Sequence, residues 1–313
     1  MLIFDRDKGH ADAIVGKPEV RLATAASDHG APDGEVCEIS TAVLKLSPIR
    51  QSDVTSLKER SMGKTVLITG AGSGFGKGAA LALAARGHHV IATTETAEQA
   101  AALAAEAPHL QVEKLDITTD DVNRAGEWTI DVLLNNAGFG QTGPMADVPM
   151  DRLRRIFEVN VFGTVAITQK VVPQMVARKS GRVIIMSSIG GVISAPAFGP
   201  YSMTKFALEA MGKSMRAELA GVGVDVTLLN PGPYNTGFND RMADSMWEWF
   251  NANSVSAGAT GLFEMMRGIA TTDQLDPAEV VQRIVELVEA ETTTENNFVP
   301  PDIVAALTGR IDG

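Results

Sequence analysis

One short stretch near residue 65 limits the folds open to this chain more than any other. A β-branched, apolar run over 65–69 ends in the glycine-rich turn TGAGSGFG, and a helical pattern follows at once. A strand that turns on glycines into a helix is the first unit of a parallel sheet with helical crossovers. Beyond it, apolar strands and helices alternate to the end of the chain. The pattern therefore predicts an α/β fold.

The predicted strands are almost wholly apolar, which is what a parallel sheet buried on both faces requires. We expect a Rossmann-like, doubly wound parallel sheet with helices on both faces, in a single domain. Ligands of such sheets bind at the carboxyl ends of the strands, so functional residues are expected there. Further strands are predicted over 89–93, 111–116, 130–134, 182–186 and 224–229, and helices over 75–86, 97–106, about 150–177 and about 201–220.

Residues 1–61 differ in character from the rest. Gly, Pro, Asp and Ser are scattered through them, and no apolar period lasts long enough to predict an element. We interpret them as an extension to a domain over 62–313, either a disordered tail or a coding start assigned too far upstream. A partner-binding arm is the alternative.

Composition excludes several classes of protein. The chain has 313 residues, a net charge of −11 and one cysteine, Cys37, so a disulfide framework is impossible within it. The acidic balance argues against nucleic acid as a partner. No apolar run reaches the roughly 18 residues of a membrane span, and the N-terminus lacks the pattern of a signal peptide. The five histidines are scattered, so no metal site is predicted. We expect a cytoplasmic protein.

The glycine turn has the chemistry of a dinucleotide site. Gly70 permits a tight turn, Gly74 lets the backbone approach a pyrophosphate, and Gly76 allows the helix to pack closely on the strand. The helix N-terminus attracts the anion. The alternative is a tight turn with no ligand. The expected cofactor contacts in the turn are Thr69, Gly70, Ser73, Gly74, Phe75 and Gly76.

The spacing TGxxxGxG, together with five later stretches in the same order, resembles the short-chain dehydrogenase/reductase family. The resemblance covers 62 to about 300 and leaves 1–61 outside. Within the family the pattern is nearest to members acting on hydroxysteroids and retinol-like compounds. The later stretches are NNAG at 135–138, Asn160 in EVNVFG, Ser187 and Ser188 after RVIIM, YSMTK at 201–205 and NPGPYNT at 230–236.

The resemblance implies an NAD(P)-dependent oxidoreductase that interconverts a secondary alcohol and a ketone. Tyr201 is then the general acid/base, and Lys205 lowers its pKa and holds the nicotinamide ribose. Ser188 binds the substrate oxygen, and Asn160 holds a water in a proton relay. The four-residue spacing also places Tyr201 and Lys205 on one helix face, and an ammonium near a phenol favours the phenolate. A 3-oxoacyl-type carbonyl reductase and a non-catalytic dinucleotide-sensing protein are the alternatives.

The resemblance also implies the remaining cofactor contacts. The NNAG stretch packs on the adenosine side, the end of the third strand contacts the adenine, and the NPGPYNT loop binds the nicotinamide carboxamide. Asp116 has a second interpretation, as a turn or capping aspartate. The residues implied are Asp116, Ile117, Asn136, Ala137, Gly138, Pro231, Gly232 and Thr236, with Tyr201 and Lys205.

The choice between NAD and NADP depends on the end of the second strand. Thr94 stands where the family usually has Asp, but Glu95 beside it would repel a 2′-phosphate. The residues that directly follow Glu95 include no Arg or Lys. This pattern favours NAD over NADP.

Residues 236–275 correspond to the family's variable substrate lid and are rich in Met, Trp and Phe. Adaptable Met and large aromatics suit a small apolar alcohol or ketone. The alternative is a helix whose apolar face packs on the domain or on a neighbouring subunit. By the same resemblance, the helices ending near 177 and 220 associate between subunits, which predicts a homodimer or homotetramer.

Overall fold

The computed structural model describes residues 63–305, so the extension predicted over 1–61 lies outside the described residues. The described part forms a seven-stranded parallel sheet in the order β3-β2-β1-β4-β5-β6-β7. The order reverses direction beside β1, so helices cover both faces, as the sequence predicted. The strands are β1 (Thr65–Ile68), β2 (His89–Thr94), β3 (Gln111–Lys114), β4 (Val132–Asn135), β5 (Gly181–Met186), β6 (Val224–Pro231) and β7 (Asn296–Val299).

Helices connect the strands and cover the sheet. Short 3₁₀ turns occupy Asp120–Gly126, Ile189–Gly191, Ala220–Val222, Ser245–Glu248 and Ala257–Ala259. The α-helices are α1 (Gly74–Ala85), α2 (Ala97–Glu106), α3 (Met150–Phe157), α4 (Thr164–Arg178), α5 (Gly199–Leu219), α6 (Phe238–Asp244), α7 (Thr260–Thr271) and α8 (Ala278–Glu289).

Alternate residues of the five central strands enter two different cores. Leu67 belongs to one buried cluster, whereas its neighbours Val66 and Ile68 belong to the other. The first core receives Ile167 and Leu208 of α4 and α5, and the second receives side chains of α1 and α8. Because side chains alternate between the faces of a strand, only an apolar strand can supply both cores.

Two elements depart from the predicted pattern. The single helix expected over 150–177 is interrupted by a π-helical turn, Glu158–Gly163, between α3 and α4. The edge strand β7 was not predicted, because the run NNFV begins with two polar residues. Among residues 63–305, no helix is both long enough and apolar enough to cross a membrane.

Candidate active site

A cleft of about 1650 Å³ opens at the carboxyl edge of the sheet, between the glycine turn and the segment over 236–275. The predicted site residues line it, apart from Thr69, Gly76 and Asn160. The sheet therefore brings together residues from five separate motifs, because the carboxyl ends of parallel strands meet at one edge.

The predicted catalytic side chains Ser188, Tyr201 and Lys205 lie together in this cleft. Ser188 lies two residues after the end of β5, and its side chain lowers the pKa of the neighbouring Tyr201 phenol. Lys205, one turn after Tyr201 on α5, places its ammonium 5.6 Å from the centre of the phenol ring. The Lys205 ammonium also donates to the backbone carbonyl of Met186 at 2.7 Å. A hydroxyl, a phenol and an ammonium thus meet at one point of the cleft.

Burial dominates the ionisation of this group. It raises the pKa of Tyr201 to about 12, against a smaller lowering by the Ser188 hydrogen bond. It also lowers the pKa of Lys205 to about 8, while the negative charge of Glu209 raises it. Loss of water around the phenol, and not a nearby charge, is thus the main influence on the Tyr201 pKa in this structure. The lowering of that pKa by Lys205 stays a prediction.

Asn160 sits in the π-helical turn and does not face the cleft. It is 1% exposed, and its side chain is hydrogen bonded on both atoms: Oδ1 accepts from Phe139 N at 3.0 Å, and Nδ2 donates to Phe139 O at 2.9 Å and Thr204 Oγ1 at 3.2 Å. The side chain has no remaining donor aimed at a water. The side chain holds the loop after β4 against α5, and the water relay at Asn160 stays a prediction.

The glycine turn has the strained backbone that its sequence predicted. Gly70 and Gly74 have positive φ angles of +66° and +54°. A Cβ on Gly70 would lie 2.7 Å from the Ala137 Cα, and one on Gly76 would lie 2.5 Å from Asn136 Nδ2. Glycine is required at both places, since real Cβ atoms do not approach so closely.

Thr69 and Asn136 hold the glycine turn against the loop after β4. The Thr69 hydroxyl accepts hydrogen bonds from the backbone N of Asn136 and of Ala137, each at 3.0 Å. In return, Asn136 Nδ2 donates to the carbonyls of Thr69 and Gly70 at 2.9 and 3.0 Å. Thr69 and Gly76 therefore fix the shape of the turn but do not line the cleft.

The cleft fits a dinucleotide. Gly74 opens α1 with its backbone facing the cleft, and a Cβ built there would approach only the Thr236 side chain, at 3.5 Å. Pro231 ends β6, and Gly232 and Thr236 follow it; all three line the cleft. The bare backbone at a helix N-terminus suits a pyrophosphate, and the hydroxyl across from it suits a polar group of the same ligand.

Glu95, and not Thr94, lines the cleft. Thr94 is buried, and its hydroxyl donates to the Thr96 carbonyl at 3.0 Å. Glu95 is exposed, and its Oε1 accepts a hydrogen bond from the Arg155 guanidinium at 3.3 Å. Arg155 comes from α3, and it too lines the cleft. A positively charged side chain therefore lies beside Glu95, although the residues directly after Glu95 in the sequence include no Arg or Lys.

Asp116 forms a turn, and its contact with an adenine stays a prediction. It lines the cleft beside Ile117, and its Oδ1 accepts hydrogen bonds from the backbone N and the hydroxyl of Thr118, at 2.8 and 2.7 Å. The aspartate thus forms the turn after β3 and borders the cleft.

The segment over 236–275 separates into a packed part and a lining part. Met246, Phe250 and Phe263 form a buried cluster of their own, with Trp247 and Trp249 packed against it. These four aromatics therefore pack within the protein, as in the alternative interpretation. The lining part of the segment consists of Phe238, Met242, Met265, Met266 and Ile269 among its apolar members.

Sequence reasoning missed two cations of the cleft, Arg155 and Arg241. Arg155 lies on α3 just before the EVNVFG stretch, and Arg241 lies on α6 within the predicted lid, but neither belongs to a motif. Their approach to the cleft depends on tertiary packing: Arg155 is the one residue of α3 that lines it, and Arg241 lines it together with Phe238 and Met242 of α6.

The comparisons with known proteins agree with this geometry. The family model for the short chain dehydrogenase matches residues 64–247, which is more than half of the chain. The chain belongs to the short-chain dehydrogenase/reductase family. The match includes the glycine turn, Ser188, Tyr201 and Lys205, so the family resemblance inferred from the motifs is confirmed.

Individual family members are similar to this chain over most of its length. The uncharacterized oxidoreductase YusZ of Bacillus subtilis is 36% identical over 72% of this chain and 84% of its own length. Dehydrogenase/reductase SDR family member 7B of Xenopus laevis is 30% identical over 71% and 70%. The crystal structure of a short-chain dehydrogenase from Streptomyces avermitilis matches at a TM-score of 0.68 and 30% identity, covering 80% of this chain and 92% of that one. The oxidoreductase family and its fold are thereby established.

Proposed function

We propose that this short-chain dehydrogenase/reductase interconverts a secondary alcohol and a ketone on a small apolar substrate, with NAD(P) as the hydride carrier. The observation that carries the proposal is the meeting of Ser188, Tyr201 and Lys205 in one cleft with the glycine turn. Hydride chemistry leaves the protein to bind, orient and move one proton. These three side chains suffice for that.

The residues divide the work in ketone reduction. Ser188 donates a hydrogen bond to the substrate oxygen and aligns it with the Tyr201 hydroxyl. Bound NAD(P)H supplies the hydride to the carbonyl carbon. Tyr201 gives its proton to the oxygen, which becomes the alcohol, and the Lys205 ammonium stabilises the charge left on the phenol. A phenol with a pKa of about 12 is in the protonated form that this direction requires.

The lining of the cleft supports an apolar substrate. Beyond Ser188, the walls consist mainly of apolar side chains, including Phe139, Phe198 and Met242. Two relatives are named for ketone reduction, the NADPH-dependent 3-dehydrocapnine reductase of Ornithobacterium rhinotracheale and the 3-ketodihydrosphingosine reductase of Bacteroides thetaiotaomicron, each 35% identical over little more than half of this chain. Their names support a keto group as the reacting centre.

We infer that NAD is the preferred cofactor and that NADP is also accepted. Glu95 faces the cleft, where its carboxylate suits ribose hydroxyls and repels a 2′-phosphate. The Arg155 guanidinium beside it reduces that repulsion and supplies a phosphate partner. Glu95 and Arg155 together therefore favour NAD without excluding NADP.

We also propose that the enzyme is a homodimer or homotetramer joined through α4 and α5. Large apolar side chains stay exposed on α5 and on the π-helical turn that precedes α4, which supports a subunit contact there. They are Phe162, Met203 and Phe206.

The test is a pair of titrations followed by a turnover screen. NADH and NADPH are titrated separately by fluorescence, and apolar ketones and alcohols are then screened by absorbance at the nicotinamide band. Binding of NADH with turnover supports the proposal. Binding without turnover of any compound would favour the dinucleotide-sensing alternative, and binding of neither cofactor would rule out the proposed reaction.

A further inference from the structure

A buried carboxylate lies directly behind the catalytic group and has no part in the proposed reaction. Glu209 is one turn beyond Lys205 on α5 and is 4% exposed. Burying a carboxylate is costly unless donors surround it. The structure supplies those donors from three different strands, which is an unusual concentration around one side chain.

The donors come from the ends of β5, β6 and β7. Glu209 Oε1 accepts from Ser187 Oγ at 2.6 Å and from Asn230 Nδ2 at 2.5 Å, and Oε2 accepts from Asn296 Nδ2 at 2.7 Å. The Lys213 ammonium lies 3.5 Å from Oε2 at the solvent side. Hydrogen bonds to an ionised acceptor are stronger than neutral ones, so this set fixes the three strand ends to α5.

Glu209 and two of its hydrogen-bond donors, Ser187 and Asn230, lie next to the predicted catalytic residues. Ser187 precedes Ser188, and Asn230 Nδ2 also lies 3.3 Å from the Ser188 carbonyl oxygen. The Lys205 ammonium donates to the carbonyl of Met186, the last residue of β5. The end of β5 is therefore held on one side by Glu209 and on the other by Lys205.

We propose that Glu209 is a positioning residue that keeps Lys205 an ammonium and holds Ser188 at the cleft. It touches neither the expected substrate nor the expected cofactor, since it does not line the cleft. Its role in turnover rests on the proposed function. Its electrostatic effect on Lys205 does not depend on the proposed function, so an experiment can test this effect and the proposed function separately.

The direction of the effect follows from the charges around Glu209. Lys205 and Lys213 face it from α5, whereas β5, β6 and β7 present the neutral groups of Ser187, Asn230 and Asn296. Burial lowers the pKa of Lys205 to about 8, and the charge of Glu209 raises it. Removing that charge lowers the Lys205 pKa further, so the ammonium is lost at a lower pH.

The experiment measures the Lys205 pKa directly in the full chain. Protein with ¹³C-labelled lysine side chains is titrated by NMR, and the Lys205 signal is assigned by its absence in Lys205→Met. For Glu209→Gln we expect this pKa to fall by about half a unit or more. Glu218→Gln removes an exposed carboxylate from the same helix and should leave it unchanged. An equal Lys205 pKa in wild type and Glu209→Gln would overturn the proposal.

Two further measurements separate charge from structure. Glu209→Asp keeps the charge, and its Lys205 pKa should stay nearer to the wild-type value than that of Glu209→Gln. The NADH dissociation constants of wild type and Glu209→Gln should diverge as the pH rises from about 6.5 to about 8.5. A constant ratio across this range would indicate a merely structural role. If wild type binds no dinucleotide, the proposed function fails while the lysine titration still decides this inference.

Discussion

The dinucleotide side of the cleft and the lid over 236–275 are built by different means. On the dinucleotide side, backbone geometry fixes the residue type: Gly70 has φ +66°, and a Cβ on Gly76 would strike Asn136. In the lid, Met246, Phe250 and Trp249 pack on one another, and other residues of the same types line the cleft. In the first region the sequence pattern identifies the site, whereas in the second it identifies only an apolar segment.

The difference shows where a site tolerates change. A turn that requires glycine for steric reasons permits few alternatives, because a side chain at positive φ or in close contact is strained. A surface of methionines permits many, because Met adapts its shape to its neighbours. We therefore expect changes on the dinucleotide side to affect chemistry or cofactor binding and changes in the lid to affect the substrate alone.

The largest expected effect is that of Tyr201→Phe, which removes the proton donor and leaves the ring in place. Turnover should fall by about 10²- to 10⁴-fold, the usual contribution of a general acid. The NADH dissociation constant should change little, as fluorescence titration of the variant would show. Thermal unfolding of the variant is the control for folding. Full activity in a folded Tyr201→Phe protein would show that another group supplies the proton.

Much of this region could be predicted from the sequence, for a physical reason. Ser188, Tyr201 and Lys205 follow a strand or share a helix face, so local spacing already places them at one edge of the sheet. The ionisation of Tyr201 could not be predicted in this way. Its pKa depends on burial by residues distant in the chain, and burial raises that pKa more than the Ser188 side chain lowers it.

A second test addresses the Glu95–Arg155 pair, in which Glu95 follows β2 and Arg155 reaches the cleft from α3. Arg155→Ala should weaken NADPH binding by about 10-fold, because a charged hydrogen bond to phosphate is lost, with little change for NADH. Glu95→Gln should strengthen NADPH binding by a similar factor. Separate titrations of the two cofactors measure both. Arg154→Ala is the matched control, since Arg154 is exposed on the same helix but does not line the cleft.

Failure of this test would be informative in a specific way. If Arg155→Ala weakens NADH and NADPH equally, Arg155 contacts a part of the dinucleotide that both share. The sequence had placed no cation near Glu95, because Arg155 lies 60 positions further along the chain and approaches it only after α3 has packed. Contacts between distant helices are the kind that local spacing does not encode.

A smaller effect is expected in the lid. Met265 is 54% exposed on α7 and lines the cleft, so Met265→Asp places a charge where an apolar substrate would bind. We expect KM for an apolar ketone to rise about 5- to 10-fold, with an unchanged NADH dissociation constant. Leu262→Asp is the control, since Leu262 is also exposed on α7 but does not line the cleft. Equal effects of both substitutions would place the substrate elsewhere or assign the cause to α7 stability.

The smallest effect is expected outside both regions. Residues 1–61 contribute no predicted site residue, and the cleft is lined from Gly70 to Ile303. A chain that begins at Met62 should therefore keep kcat/KM within about twofold, and light scattering should give the same dimeric or tetrameric state with and without the extension. A changed NADH dissociation constant would make residues 1–61 part of the cofactor site, and a changed assembly would make them part of the subunit contact. Either result would add a third region to the comparison, one that the motifs do not reveal.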